Sequence, residues 1–205
     1  MLVGMTALPQ QVQAFDEKPV GFVVIDKTGG NVTGEVYSSW RQVVKWAYHF
    51  PYYKIVDDAE PQTVTAEVLK NDVKVTKDVL AALAEKSKVD VLVVAKVYDM
   101  NDYMISSGFG WREDSETYVR VEAVADLYVY KKAGDKFLQK KLREREIKDL
   151  GNYEKPQETI KWALCKLVNT MEEGVPLLVN EADLSNVRTH WAGIFSLPGG
   201  MLVIQ

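Results

Sequence analysis

The chain has 205 residues, and 25 Lys+Arg against 29 Asp+Glu leave a formal charge of −4. Apolar residues make up 47% and charged residues 26%, the balance of an ordinary folded domain, which excludes a disordered chain, a collagen-like repeat and a coiled coil. The acidic surplus speaks against a dedicated nucleic-acid binder. One Cys and two His supply neither a disulfide framework nor the four ligands of a His/Cys zinc site.

The chain opens on a short apolar stretch, Leu2, Val3, Met5, Ala7 and Leu8, followed by Pro9 and then by Val12-Gln13-Ala14 ahead of Phe15. Small or modest residues three and one positions before a break are what signal peptidase accepts. We therefore expect residues 1–17 to be a truncated export-signal remnant, with a disordered arm as the alternative. The protein is then expected in the periplasm or cell envelope, compatible with a peripheral association there. No run approaches the roughly 18 consecutive apolar residues that span a bilayer.

Val20-Gly21-Phe22-Val23-Val24-Ile25 is a continuous apolar run of strand length, which predicts a central strand covered on both faces. Asp26 to Asn31 forms a Gly-containing loop. Val36, Trp40, Val43, Val44 and Ala47 then recur at threes and fours, predicting a helix with Thr33 as its N-cap and Pro51 as its stop. Tyr52 to Val56 reads as a short strand. Thr63 to Lys88 reads as two helical pieces, the second capped by Thr76 and burying Val79, Leu80 and Leu83.

Val89 to Met100 predicts a third strand around the core Val91-Leu92-Val93-Val94-Ala95. Val119, Val121, Ala123, Ala125, Leu127 and Val129 alternate with Arg120, Glu122, Asp126, Tyr128 and Tyr130, predicting a strand with one buried and one partly wet face. Lys131 to Asp135 makes the turn. Phe137 to Ile147 is then a charged strand suited to a sheet edge, where charge discourages unwanted pairing. Pro156 in a first turn, followed by Ile160, Leu164, Leu167 and Met171, marks a closing helix that ends at Gly174 and Pro176. The predicted order is β-α-β-α-β-β-β-α, an α+β (mixed α/β) fold with a mixed sheet, helices packed on it and an antiparallel meander in the second half. Residues 18–178 are expected to form one domain, and residues 179–205 a tail to which no element is assigned.

Lys18-Pro19-Val20-Gly21-Phe22-Val23-Val24-Ile25-Asp26 resembles the first strand of TolB amino-terminal-like domains. That group includes curli-secretion-type envelope lipoproteins and the lipoprotein activators of penicillin-binding proteins. The resemblance continues through Tyr53-Lys54-Ile55-Val56-Asp57 and Ser87-Lys88-Val89-Asp90-Val91-Leu92-Val93-Val94-Ala95-Lys96-Val97, and covers roughly residues 18 to 175. Lys88 and Ala95 stand near positions where the family usually carries Gly. The resemblance implies an exported envelope protein that binds other proteins or self-assembles. It transfers no functional residue.

Candidate chemistry is thin. Asp26-Lys27-Thr28-Gly29-Gly30-Asn31 sits where α/β folds bind phosphate, yet matches neither GxGxxG nor the P-loop pattern, and Gly and Asn are ordinary loop formers. Asp57, Asp58, Glu60, Asp99 and Asp102 lack the spacing of a calcium loop. His49 suits a helix C-terminus, and Cys165 reads as a packing residue on the last helix. Neither these nor His190 has a partner at catalytic spacing. We expect no catalytic residue, no metal and no cofactor.

The informative stretch is Met104 to Glu116. Ser106-Ser107-Gly108-Phe109-Gly110-Trp111-Arg112 sets two large aromatics and an Arg among glycines in an expected hairpin loop. Loop aromatics beside Arg are favoured at protein interfaces, although the same rings could fold back over the sheet. Tyr98, Tyr103, Tyr118, Tyr128 and Tyr130 could extend that surface or serve as cross-strand pairs. Phe109, Trp111, Arg112, Tyr103 and Tyr118 are the expected partner-binding residues. The expected function is a non-catalytic exported interaction or assembly module that binds a protein partner or a second copy. The alternative is a small-molecule or carbohydrate binder using the same aromatics.

Overall fold

A computed structural model describes residues 16–49, 52–56, 61, 63–64, 73–107 and 116–171. Five strands form one sheet in the order β2-β1-β3-β4-β5. They are β1 (Lys18–Asp26), β2 (Tyr53–Ile55), β3 (Val91–Ser107), β4 (Glu116–Lys131) and β5 (Lys136–Asp149). Among the described residues three helices with defined bounds pack on them: α1 (Gly34–Ala47), α2 (Lys77–Lys86) and α3 (Pro156–Met171). The order of elements is the one expected, and the fold is α+β with a mixed sheet. Strands β1, β2 and β3 run parallel, while β3, β4 and β5 form the antiparallel meander.

The parallel half explains why the sheet has two covered faces. The chain steps outward from β1 to β2 and then returns across β1 to reach β3. Crossovers of the same right-handed sense in opposite directions place their helices on opposite sides. Accordingly α1, joined by α3, packs on one face, with Trp40, Val44, Ile160, Leu164 and Leu167 against Val20, Phe22, Val93, Ala95 and Leu127. Helix α2 packs on the other, with Leu80 and Leu83 against Val23, Leu92, Val94 and Tyr128. Trp40 is fully buried and its indole Nε1 donates to the Gln157 carbonyl at 3.1 Å, which ties α1 to the start of α3.

The helix ends follow the sequence. Thr33 Oγ1 and Thr76 Oγ1 accept from the amides of Val36 and Val79, the N-caps expected. Helix α2 ends in a Schellman arrangement: the Val89 amide donates to Ala84 O at 2.9 Å and the Lys88 amide to Glu85 O at 3.1 Å. This turn puts Lys88 at φ 55°, the left-handed conformation for which Gly is the usual choice.

One expectation is corrected. The third strand does not stop at Met100 but runs on to Ser107, and its pairing with β4 continues to Ser107 opposite Glu116. What permits this is a bulge at Tyr98: Val97 opposes Ala125 while Asp99 already opposes Val124. The extra residue reverses the alternation, so that Val91, Val93, Ala95 and Val97 and then Met100 face α1 and α3. The second face of β4 is partly wet, as expected: Tyr118, Arg120 and Glu122 are partly exposed, while Asp126, Tyr128 and Tyr130 are buried. Tyr128 and Tyr130 lie within the apolar cluster under α2, packed beside Phe137.

Beyond Asp26, where β1 ends opposite Val97, the sheet continues as the three antiparallel strands of the meander, with Val119 and Val121 still buried. The tail and the acidic residues 57, 58 and 60 fall outside the described residues.

Candidate functional site

The sheet face that α2 covers at one end carries a charged and aromatic ladder at the other, and strand register assembles it. Alternation along β4 puts Tyr118, Arg120, Glu122, Asp126, Tyr128 and Tyr130 on this face. Cross-strand pairing adds Tyr103 opposite Arg120, Lys96 and Lys141 opposite Asp126, and Arg145 opposite Glu122.

Asp126 is the inner anchor. Its carboxylate accepts from Arg143 Nη2 at 2.8 Å, from the Tyr98 hydroxyl at 3.2 Å and from the Tyr128 hydroxyl at 3.3 Å. Arg143 is held flat on the sheet by two further bonds, from Nη1 to Ala125 O at 2.8 Å and to Leu142 O at 2.7 Å. The Tyr98 ring meets two cations, with Lys96 Nζ 5.3 Å and Arg143 Cζ 5.8 Å from its centroid. Burial, and then the Asp126 charge, push the Tyr128 hydroxyl far above the ordinary tyrosine range, so it stays a neutral donor.

Glu122 is the outer anchor. Arg120 Nη2 donates to it at 2.5 Å, the Tyr103 hydroxyl bonds to it, and Arg145 Nε stands 4.0 Å away. Burial acts to raise the Glu122 pKa, but the bonds from Arg120 and Tyr103 outweigh it and hold the carboxylate below its ordinary value. The Arg120 guanidinium also lies 5.5 Å from the Tyr103 ring centroid. The two signs of charge are layered. Asp126 and Glu122 side chains are 9% and 13% exposed, whereas Arg143 and Arg145 are 45% and 64% exposed. The carboxylates are the foundation, and the guanidiniums are what solvent meets.

Apolar groups are exposed on the meander as well. Tyr98, Tyr103, Met104, Ile147 and Leu150 are among the exposed large hydrophobic residues described, with Met104 74% and Ile147 63% accessible. Tyr118 is partly buried, opposite Ile105 and Asp149. Of the expected partner-binding residues, Tyr103 and Tyr118 therefore lie on this face. Phe109, Trp111 and Arg112 fall outside the described residues, in the segment joining β3 to β4.

The remaining candidates are used locally. Asp26 accepts from the Thr28 amide at 2.7 Å and its hydroxyl at 2.5 Å, and Thr28 Oγ1 accepts from the Asn31 amide, so the loop closes on itself with Gly29 and Gly30 at positive φ. His49 Nδ1 lies 3.0 Å from Trp46 O. Cys165 is buried, and desolvation pushes its thiol up to about 12, far from a nucleophilic thiolate. No group of three or more His, Cys, Asp or Glu residues that could hold a metal occurs among the described residues. No helix among them is long and apolar enough to cross a membrane.

A polar cleft of about 350 Å³ lies near the carboxyl end of β1, between the Asn31 loop, β3 and the start of α3. Its polar groups are spent on one another: Asn31 Nδ2 donates to Met100 O and to Asn101 Oδ1, and the Tyr153 hydroxyl bonds to Asp102.

Sequence reasoning missed Lys96, Arg143 and Arg145 as parts of one constellation. Each reads as an isolated strand charge until register sets it beside Asp126 or Glu122.

No family model matches the chain and no curated protein does. Three solved structures illustrate what structural comparison finds. A hypothetical protein of Chlamydia trachomatis is 9% identical over 67% of this chain and 76% of its own, with a TM-score of 0.36. A lipoprotein of Neisseria meningitidis is 15% identical over 77% and 99%, also at 0.36. A Helicobacter pylori protein described as a homologue of the neuraminyllactose-binding hemagglutinin is 7% identical over 87% and 91%, at 0.34.

Proposed function

We propose that this protein is an exported, non-catalytic interaction module of the cell envelope, related to TolB amino-terminal-like domains, which binds a protein partner or a second copy through the outer half of its meander. One observation carries this reading. The outer half of the meander combines exposed Tyr103 and Ile147 with the outward guanidiniums of Arg120, Arg143 and Arg145 on one face, and exposes Met104 on the other. Tyr, Met and Arg are the types enriched at protein interfaces, and clustered exposed apolar groups mark interaction sites. The ionised groups on this face are bound to one another rather than aimed at an open cavity, the reverse of a reactive centre. Support for export comes from the pattern ahead of Phe15 and from the family resemblance.

Photo-crosslinking tests the reading. A photoreactive residue at position 103 is expected to give a discrete conjugate in cells, and the same residue at the exposed position 45 on α1 is expected to give none. Phe109→Ala with Trp111→Ala should reduce the position-103 conjugate in a protein that still unfolds cooperatively. Equal labelling from both positions, or none from 103, removes this half of the meander as the binding surface.

A further inference from the structure

We infer that the outer edge of β5 receives an extended acidic segment of a partner protein as an added strand, with carboxylates at alternate positions set against Lys141, Arg143 and Arg145. The inference rests on the protein-binding reading and names the chemistry of the partner.

Among the described residues β5 pairs with β4 on one side only, so it stands at the sheet edge. On the ladder face, neighbouring strands alternate in sign. Lys96 of β3 opposes Asp126 of β4, which opposes Lys141 of β5, and Glu122 of β4 opposes Arg145. The basic column of β5, at Lys141, Arg143 and Arg145, is the last one present. Opposite charges facing each other across strands stabilise pairing and like charges destabilise it. The column that would complete the series is therefore acidic with a period of two.

The other face of β5 makes no such demand. Leu138 and Leu142 pack against the core, and Lys148 bridges Glu144 and Glu146 at 3.8 and 3.2 Å. Charge on an edge strand ordinarily keeps other strands away. Here the ladder side of the edge carries a single sign from residue 141 to 145, with Asp149 beyond Ile147 at its end, so over that stretch the barrier acts as a filter. It also rejects a second copy. In any two-fold antiparallel pairing of β5 with itself centred between residues 141 and 145, residues of the same face oppose each other and these cations meet cations. A chain of net charge −4 that offers three cations in this column is likewise poorly suited to a nucleic-acid polyanion. An added peptide strand satisfies both the edge backbone and the cation column.

The test uses the full chain and a fluorescent peptide about ten residues long, enough to run beside β5, alternating Glu with Thr. It is compared with the Lys/Thr peptide and with a Glu/Thr peptide N-methylated at alternate backbone amides. Binding is read by fluorescence anisotropy. The Glu/Thr peptide should bind and the other two should not. The double variant Lys141→Glu/Arg145→Glu should bind the Glu/Thr peptide about tenfold more weakly and gain affinity for the Lys/Thr peptide. Both positions are exposed, and cooperative unfolding of the variant checks the fold.

Equal binding of the Glu and Lys peptides, or of the N-methylated peptide, overturns the inference. So does equal binding of single-stranded DNA of matched charge, or self-association that the double variant abolishes. If the Glu/Thr peptide fails to bind while the position-103 conjugate still forms, the edge inference falls and the protein-binding reading stands. If the conjugate is lost instead, the parent reading is the one that fails.

Discussion

Asp126 shows how one side chain organises the ladder. It is a buried carboxylate with a guanidinium and two phenols as donors, so its own desolvation is offset by charge-assisted bonds. Removing it leaves Tyr98 and Tyr128 hydroxyls without this acceptor and frees Arg143 from its clamp. Because Arg143 is nearly half exposed, much of its charge is screened and the loss is moderate. Asp126→Ala is expected to destabilise the protein by about 2 kcal/mol, read as a lower urea midpoint with unchanged slope. Asp126→Asn, which keeps an acceptor and similar volume, should lose less. Equal midpoints for Asp126→Ala and wild type would mean that the network is ornamental.

At the scale of elements, α2 is short and its ends matter. Its C-terminus requires a left-handed residue, and the chain supplies Lys88. A side chain bearing Cβ is strained there, and Gly is not. Lys88→Gly is expected to stabilise the protein by about 0.5–1 kcal/mol, raising the thermal midpoint; a lower midpoint would refute the conformation assigned to this turn. The β4–β5 turn is tied to the other end of α2, since Asp135 pairs with Lys77 and accepts from the Tyr130 hydroxyl at 3.2 Å. One helix therefore braces both the parallel half and the meander.

For the whole molecule, these pairs define how stability depends on pH. Glu122 and Asp135 are held below the ordinary carboxylate range, Asp135 chiefly by its bond to Lys77. In acid the unfolded chain therefore takes up protons first. Their contribution is present above the ordinary carboxylate pKa of about 4 and is lost as pH falls through the lower folded values. Tyr103, Tyr128 and Tyr130 are raised, first by burial, and Lys77 is raised by its bond to Asp135. Their contributions are present below about pH 10 and are lost as pH rises through the folded values. Thermal midpoints should thus fall on an acid limb below about pH 4 and on an alkaline limb above about pH 10. Glu122→Gln should flatten the acid limb; an unchanged limb would place the acid sensitivity elsewhere.

The sequence by itself determined the succession of elements, because each is written in local periodicity: continuous apolar runs at β1 and the start of β3, threes and fours in α1 and α3, alternation in β4, and Thr33 and Thr76 as caps. It also marked β5 as an edge through its charge. Only the tertiary structure decided which charges meet. Pairing register, a bulge at Tyr98 and the choice of face for α2 depend on contacts between residues distant in the chain, and a strand's own pattern does not encode its neighbour's phase. Asp126 and Tyr128, which alternation puts on a partly wet face, lie at its buried end, while Arg143, an unremarked strand charge, became the clamp between β4 and β5.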